Sequence, residues 1–179
     1  MDIIKAAESR ITREEHTMGF FAKFKKEEKT YNDTDIIAIA DATIVPVTEI
    51  KDPVFSKEIL GQTIAFALQS NTIAAPCNGT LEVMYPTGHA FAVRGNNGIG
   101  ILVHVGINTV NLKGKGFKVH AKQGASVKAG QKLLTIQTDQ IKEAGYDLTT
   151  MLIITEQVKE GERIQFTCQD SVEKGQIIN

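Results

Sequence analysis

Two histidines are the residues of this chain best suited to chemistry. His104 stands in the run Gly98 to Val110, GIGILVHVGINTV, a strand-like apolar segment with one imidazole in its middle. With a side-chain period of two, Ile99, Ile101, Val103, Val105 and Ile107 share one apolar face, and Gly100, Leu102, His104, Gly106 and Asn108 share the other. His104 is therefore predicted to point away from the main core, and Gly100 and Gly106 on its own face remove side chains that would crowd the ring. A neutral imidazole keeps one nitrogen lone pair near physiological pH, which makes it a nucleophile toward phosphorus and a reversible carrier once phosphorylated. Phosphoryl transfer needs in-line positioning and stabilised equatorial oxygens more than covalent machinery. A second imidazole beside the first can supply an N–H to those oxygens.

That second ring is expected to be His89. Between the two histidines lies Arg94-Gly95-Asn96-Asn97-Gly98, strong hairpin punctuation. A loop of two or four residues centred on Asn96-Asn97 puts His89 directly opposite His104; an Asn97-Gly98 turn puts Phe91 opposite and makes His89 the diagonal neighbour. Both registers place the imidazoles on one face with Cβ atoms roughly 5–8 Å apart. A three-residue loop would send them to opposite faces, so the expectation is an even loop and a convergent pair. Thr87, two residues before His89, is placed to fix its tautomer by a hydrogen bond.

A lone strand histidine is more often a satisfied core residue than a functional one. Two imidazoles converging in a glycine-lined apolar hollow without a neighbouring carboxylate are poorly explained by stability and point to function. Zinc is the competing chemistry, but catalytic zinc usually takes three protein ligands, and neither HExxH nor HxH occurs; His16 reads as a tail residue and His120 as an exposed strand residue. Leu112 to Lys118, LKGKGFK, lacks the spacing of a phosphate-cradling GxxxxGK[ST] loop and reads as a solvated turn. Cys77 has no adjoining basic cluster to activate it.

The elements that must hold this pair are short strands. From Ile36 onward, Gly, Pro, Asn and Asp interrupt the chain every 8–12 residues, the signature of a sandwich or barrel. Strands are expected at Ile36–Ala40, Thr43–Val47, Thr63–Leu68, Thr80–Met84, His89–Arg94, Ile99–Ile107, Lys132–Gln137, Met151–Ile154 and Arg163–Cys168. One short helix is expected at Asp139–Ala144, with Asp139 as N-cap and Gly145 beyond its end. Leu60-Gly61-Gln62-Thr63-Ile64 is weakly echoed by Ala129-Gly130-Gln131-Lys132-Leu133, which hints at two related half-sheets.

At 179 residues and 42% hydrophobic content the chain can bury one full core. A formal net charge of −1 without tryptophan gives no footprint for nucleic acid. Two cysteines far apart, without CxxC spacing, argue against a disulfide scaffold or a thiolate metal site. No run approaches a membrane span and the N-terminus lacks a secretory apolar region, so a cytoplasmic protein is expected. Residues 1–35 read as a mobile charged leader ahead of a domain over 36–179. Within the leader, Phe20, Phe21 and Phe24 flanked by Lys23, Lys25 and Lys26 form a weak amphipathic anchor pattern at 18–26, with at most slight membrane-surface contact.

GIGILVHVGINTV followed by LKGKGF resembles the phosphorylation-site signature of the glucose-family enzyme IIA of the bacterial phosphoenolpyruvate-dependent sugar phosphotransferase system. Further matches, in the family's order, are KDPVFSKEILG at 51–61, AAPCNGTL at 74–81, TGHAF at 87–91 and GASVKAGQKLLTI at 124–136. The resemblance implies an all-β fold, a compact sandwich or barrel of the duplicated-hybrid-motif type with very little helix. It implies a phosphohistidine carrier that needs no cofactor or metal, takes its phosphoryl group from HPr and passes it to a cysteine of a sugar-specific IIB domain; regulated transporters are further partners of the family. By motif, His104 is the phosphorylated residue, His89 its phosphoryl-stabilising partner and Thr87 the residue that orients His89. Phe55 and Phe91 would belong to an apolar docking ring, and Asp52 would meet an arginine of HPr. Gly100, Asn108, Asn111 and Lys115 stand where the family commonly has acidic residues, and Gly88 where it commonly has asparagine. The fold's analogy to lysostaphin-like zinc endopeptidases supplies an alternative, a zinc hydrolase. A regulatory binding module without phosphoryl transfer is another.

Overall fold

The computed structural model describes residues 29–168 and 170–179; the anchor pattern at 18–26 and His16 lie outside them. One compact unit spans Tyr31–Asn179. Tyr31, five residues ahead of the expected domain start, is tied in at both ends of its structure: its hydroxyl donates to the Gly175 carbonyl at 2.8 Å, and its own carbonyl accepts from the Asn78 amide at 2.8 Å.

The described residues form two antiparallel sheets with very little helix. In chain order the strands are β1 (Ala42–Val45), β2 (Gln62–Leu68), β3 (Thr72–Ala74), β4 (Gly79–Met84), β5 (Ala90–Gly95), β6 (Gly100–Val105), β7 (Phe117–Val119), β8 (Ser126–Val127), β9 (Lys132–Ile136), β10 (Thr150–Glu156) and β11 (Ser171–Val172). The large sheet has the order β11-β1-β2-β10-β6-β5-β4-β8, and the small one β3-β9-β7. The fold is a β-sandwich, as the pattern of short strands predicts. The two echoed segments enter β2 of the large sheet and β9 of the small one.

Alternation sorts the large sheet's side chains. Phe66, Phe91, Val93, Ile101, Val103, Leu152 and Ile154 meet Ile73, Leu133, Leu134 and Ile136 of the small sheet in the main core. The opposite face is not bare: Ala65, Met151 and Ile153 join Ile50, Phe55 and Ile107 in a second buried cluster, with Leu102 packed against it. His104 pairs with Met151 across β6 and β10, so it stands on this second face.

Several expectations need correction. Phe91 is fully buried, directly opposite Val103 in the main core, and so cannot belong to a docking ring. Ile36–Ala40 is buried but makes only one bridge, Ile37 to Ile177; its backbone bonds go to loop residues such as Pro76 and Gln176. Arg163–Cys168 keeps its alternation, with Ile164, Phe166 and Cys168 half-buried, but has no ladder. Instead the Gln62 side chain acts as its strand partner, donating to the Ile164 carbonyl at 2.6 Å and accepting from its N–H at 2.8 Å. The second of two short helices, α1 (Pro53–Ser56) and α2 (Thr138–Glu143), is preceded by Gln137; Asp139 lies inside its first turn and no side chain caps it.

Burial of Phe91 has a direct consequence. Phe91→Ala is expected to lower the free energy of unfolding by about 3–5 kcal/mol, measured by urea denaturation; a docking residue would leave the midpoint unchanged.

Candidate functional site

The hairpin that carries both histidines has a three-residue loop. Gly95 N–H donates to the Ile99 carbonyl and Gly98 N–H to the Gly95 carbonyl, and the register places Ala90, not His89, opposite His104. The expected even loop is therefore wrong. A turn with a bulge at Gly98 fits the same Asn-Asn-Gly residues. The rings nevertheless meet, with centroids 5.2 Å apart and planes at 82°. His89 lies one residue before β5, where pleat alternation no longer governs its direction. The residue before it, Gly88, has φ +70°, and a Cβ there would crowd Phe117 and Val119 at 3.1 and 3.2 Å. This left-handed backbone and the lack of room for a Cβ both suit glycine. Opposite His104, the small Ala90 leaves room for the second imidazole.

Each Nδ1 atom has a local partner. His104 Nδ1 lies 2.8 Å from the Gly106 carbonyl, and His89 Nδ1 lies 2.6 Å from Thr87 Oγ1. A carbonyl only accepts, so neutral His104 carries its proton on Nδ1 and a lone pair on Nε2. Thr87 can donate to His89 Nδ1, which would leave an N–H at His89 Nε2. Among the described residues neither Nε2 has a protein partner, and the one buried polar side-chain atom without a partner is Ser70 Oγ, so neither Nε2 is sealed from solvent. Burial pushes the His104 pKa down, and the neighbouring His89 pushes it further; the Gly106 bond and the Asp52 charge oppose them without reversing the result. Burial also lowers that of His89. Both rings are thus held in the form that keeps a lone pair.

Gly106 is where the strand ends. Its φ is +74°, and a Cβ would lie 2.5 Å from Thr109 Cγ2 and 2.8 Å from the Asp147 carbonyl. Glycine is required for the chain to turn its carbonyl back onto His104 while the backbone of Asp147 comes close. Thr109, fully buried, donates its hydroxyl to the Val105 carbonyl and pins the same turn.

Phe55 lies against His104, ring centroids 5.0 Å apart, but is only 6% exposed; it floors the site rather than rims it. Asp52 caps α1 by accepting from the Val54 N–H at 2.8 Å, which fixes the helix that carries Phe55. Exposed apolar residues that the sequence did not single out adjoin these groups along the chain. Tyr85 packs edge-on against His89, centroids 5.2 Å apart, and Val54 and Val110 are also exposed beside the site-forming segments. Tyr85 could have been found from its place two residues before Thr87. The LKGKG turn also lies at the site: a Cβ on Gly114 would be 3.6 Å from Thr87 Cα. Gly100 sits away from the rings beneath Arg94, which reaches across β6 to Glu156 in two contacts of 2.6 Å. No group of three or more His, Cys, Asp or Glu side chains among the described residues converges as a metal site.

The family model for the EIIA 1 component of the phosphoenolpyruvate-dependent sugar phosphotransferase system matches residues 34–160. The chain belongs to this family. It is 38% identical over 138 residues to the glucose-specific EIIA component of Buchnera aphidicola, covering 77% of this chain and 83% of that one. A glucose-specific EIICBA component of Streptococcus pneumoniae is 36% identical over 121 residues, 68% of this chain and 17% of the larger protein. Among solved structures, glucose permease IIA from Mycoplasma capricolum superposes with a TM-score of 0.76 at 31% identity, covering 80% of this chain and 92% of that one. This EIIA component is a phosphocarrier of sugar uptake. No helix among its described residues is long and apolar enough to cross a membrane.

The lowered histidine pKa values fix the sign of a pH effect. The unfolded chain, with histidines near 6.5, binds protons that the folded EIIA component resists. The stability contributed by the neutral pair is therefore fully present above about pH 6.5 and is lost as pH falls through the folded values. Urea midpoints should drop on acidification below this point, more steeply than in a His89→Gln/His104→Gln variant, and both ring resonances should titrate below 6.5 by NMR.

Proposed function

We propose that His104 Nε2 is the atom that carries the phosphoryl group, received from the phosphohistidine of HPr and passed to a cysteine of a sugar-specific IIB domain. The observation that carries this reading is the bond from His104 Nδ1 to the Gly106 carbonyl, which leaves the lone pair on Nε2 beside a second imidazole. In the first step the Nε2 lone pair forms a bond to phosphorus as the donor's N–P bond breaks and its pair returns to the donor ring. In the second the cysteine thiolate forms an S–P bond as the His104 N–P bond breaks. Neither step needs a cofactor or a metal.

His89 stabilises the phosphoryl oxygens. With Thr87 donating to its Nδ1, it offers the Nε2 proton to an equatorial oxygen in the transition state and on the phosphorylated ring. Asp52 meets a basic side chain of the donor, and Tyr85, Val54 and Val110 supply the apolar contact. Relatives whose names combine EIIA with EIIB and EIIC, in glucose, mannose and beta-glucoside systems, support a IIB domain as the acceptor. Such a relay works in the cytoplasm.

Incubation with phosphoenolpyruvate, enzyme I and HPr is expected to label the protein with acid-labile phosphate, and His104→Ala to abolish the label; a His104→Ala chain that still labels overturns the assignment. His89→Ala should accept phosphate yet pass it to IIB on the order of 100-fold more slowly. Onward transfer at the normal rate would remove His89 from the mechanism.

A further inference from the structure

The Gly106–Ile107 peptide unit is held at both ends. Its carbonyl accepts from His104 Nδ1 at 2.8 Å, and its N–H, on Ile107, donates to the main-chain carbonyl of Asp147 at 2.8 Å. Because the unit is planar, holding one end fixes the direction of the other. The two bonds also run in series, so each polarises the next and strengthens the Gly106 oxygen as an acceptor for the His104 proton.

The Asp147 carbonyl belongs to a turn that the residue's own side chain closes. Asp147 lies in the link between α2 and β10, just before the strand that pairs with β6. Its Oδ1 accepts from the Thr149 N–H at 2.8 Å and the Thr149 hydroxyl at 2.7 Å, closing a local turn, while Oδ2 faces Lys51 at 3.4 Å. Burial alone would raise the Asp147 pKa, but the Thr149 hydroxyl and amide together with Lys51 outweigh it and hold the carboxyl below its ordinary value. The Lys51 side chain is 81% exposed, so its ion pair adds little; the turn to Thr149 is the main restraint.

We infer that Asp147 is a positioning residue of the phosphoryl-transfer site: its side chain fixes its own carbonyl, which orients the Gly106–Ile107 peptide and so sets the tautomer that leaves His104 Nε2 nucleophilic. This rests on the proposed role of His104 as acceptor. Asp147 itself touches neither ring.

The test is the ¹⁵N spectrum of the His104 ring in the full chain, read together with the rate of labelling from HPr. Asp147→Ala should turn a single Nδ1–H form into a mixture of tautomers and slow labelling between about 10- and 100-fold. Asp147→Asn keeps an oxygen for both Thr149 bonds and should restore both readouts, and Lys51→Ala should leave them as in the wild type. Thr149→Val, which loses one bond at nearly constant shape, should shift both in the same direction by less, and it decides the matter if Asp147→Ala does not fold. A pure Nδ1–H form and a wild-type rate in folded Asp147→Ala, or in Thr149→Val where that variant is the one available, overturn the inference. Absence of label on wild-type His104 overturns the carrier role instead, and the tautomer spectrum then still decides the place of Asp147.

Discussion

The hydrogen bond between His104 Nδ1 and the Gly106 carbonyl governs what the site can do, because it decides which nitrogen of the ring is free. Imidazole tautomers differ little in energy in water, so a single fixed acceptor is enough to choose between them. The acceptor is main chain rather than carboxylate. It holds a proton on Nδ1 without adding a negative charge beside the atom that, in the proposed relay, approaches an anionic phosphoryl group. Burial works in the same direction by disfavouring the imidazolium of both rings.

That carbonyl is in place because the sheet ends where it does. β6 and β10 bury side chains on both faces, Val103 and Leu152 toward the main core and Leu102 and Ile153 toward the second cluster, so neither strand can slip by one residue without reversing every side chain. At Gly106 the strand turns left-handed and Ile107 crosses to the second cluster, while the Asp147 backbone fills the space a side chain would need. Phe55, carried by the Asp52-capped helix, then packs against His104 on the same face. The rigidity of the histidine thus comes from packing on its own face as well as from the core beneath.

Long alternating segments were legible in the sequence, and the places where alternation stops were not. β2, β4, β5, β6, β9 and β10 fall within a residue or two of their expected positions because each must bury one face or both. β3, β7, β8 and β11, of two or three residues, are too short to show a period. At Arg163–Cys168 the period is present but a glutamine side chain supplies the hydrogen bonds, which no pattern of hydrophobicity encodes. The same limit explains the histidines. Strict alternation through His89 implies an even loop, yet His89 lies in the turn ahead of β5, so an odd register and a convergent pair coexist. Phe91, one register step inside the ladder, obeys alternation and is buried.

Chemistry and docking draw on different parts of this surface. The bonds that fix the two rings run to Gly106 and to Thr87, and neither of these direct partners is a charged side chain. Around this site, Gly100 lies under the Arg94–Glu156 bridge, Asn108 takes a left-handed backbone at the head of the turn after β6, and Asn111 and Lys115 belong to the segment that passes Thr87. Changes there alter the field a partner meets on approach and leave the tautomers untouched. Charge on the rim governs encounter rates and partner choice, whereas the transfer step answers to fixed dipoles at the ring. Substitution at the edge of the site therefore leaves the tautomers of both rings unchanged, provided that Gly106, Thr87 and the backbone behind them stay as they are.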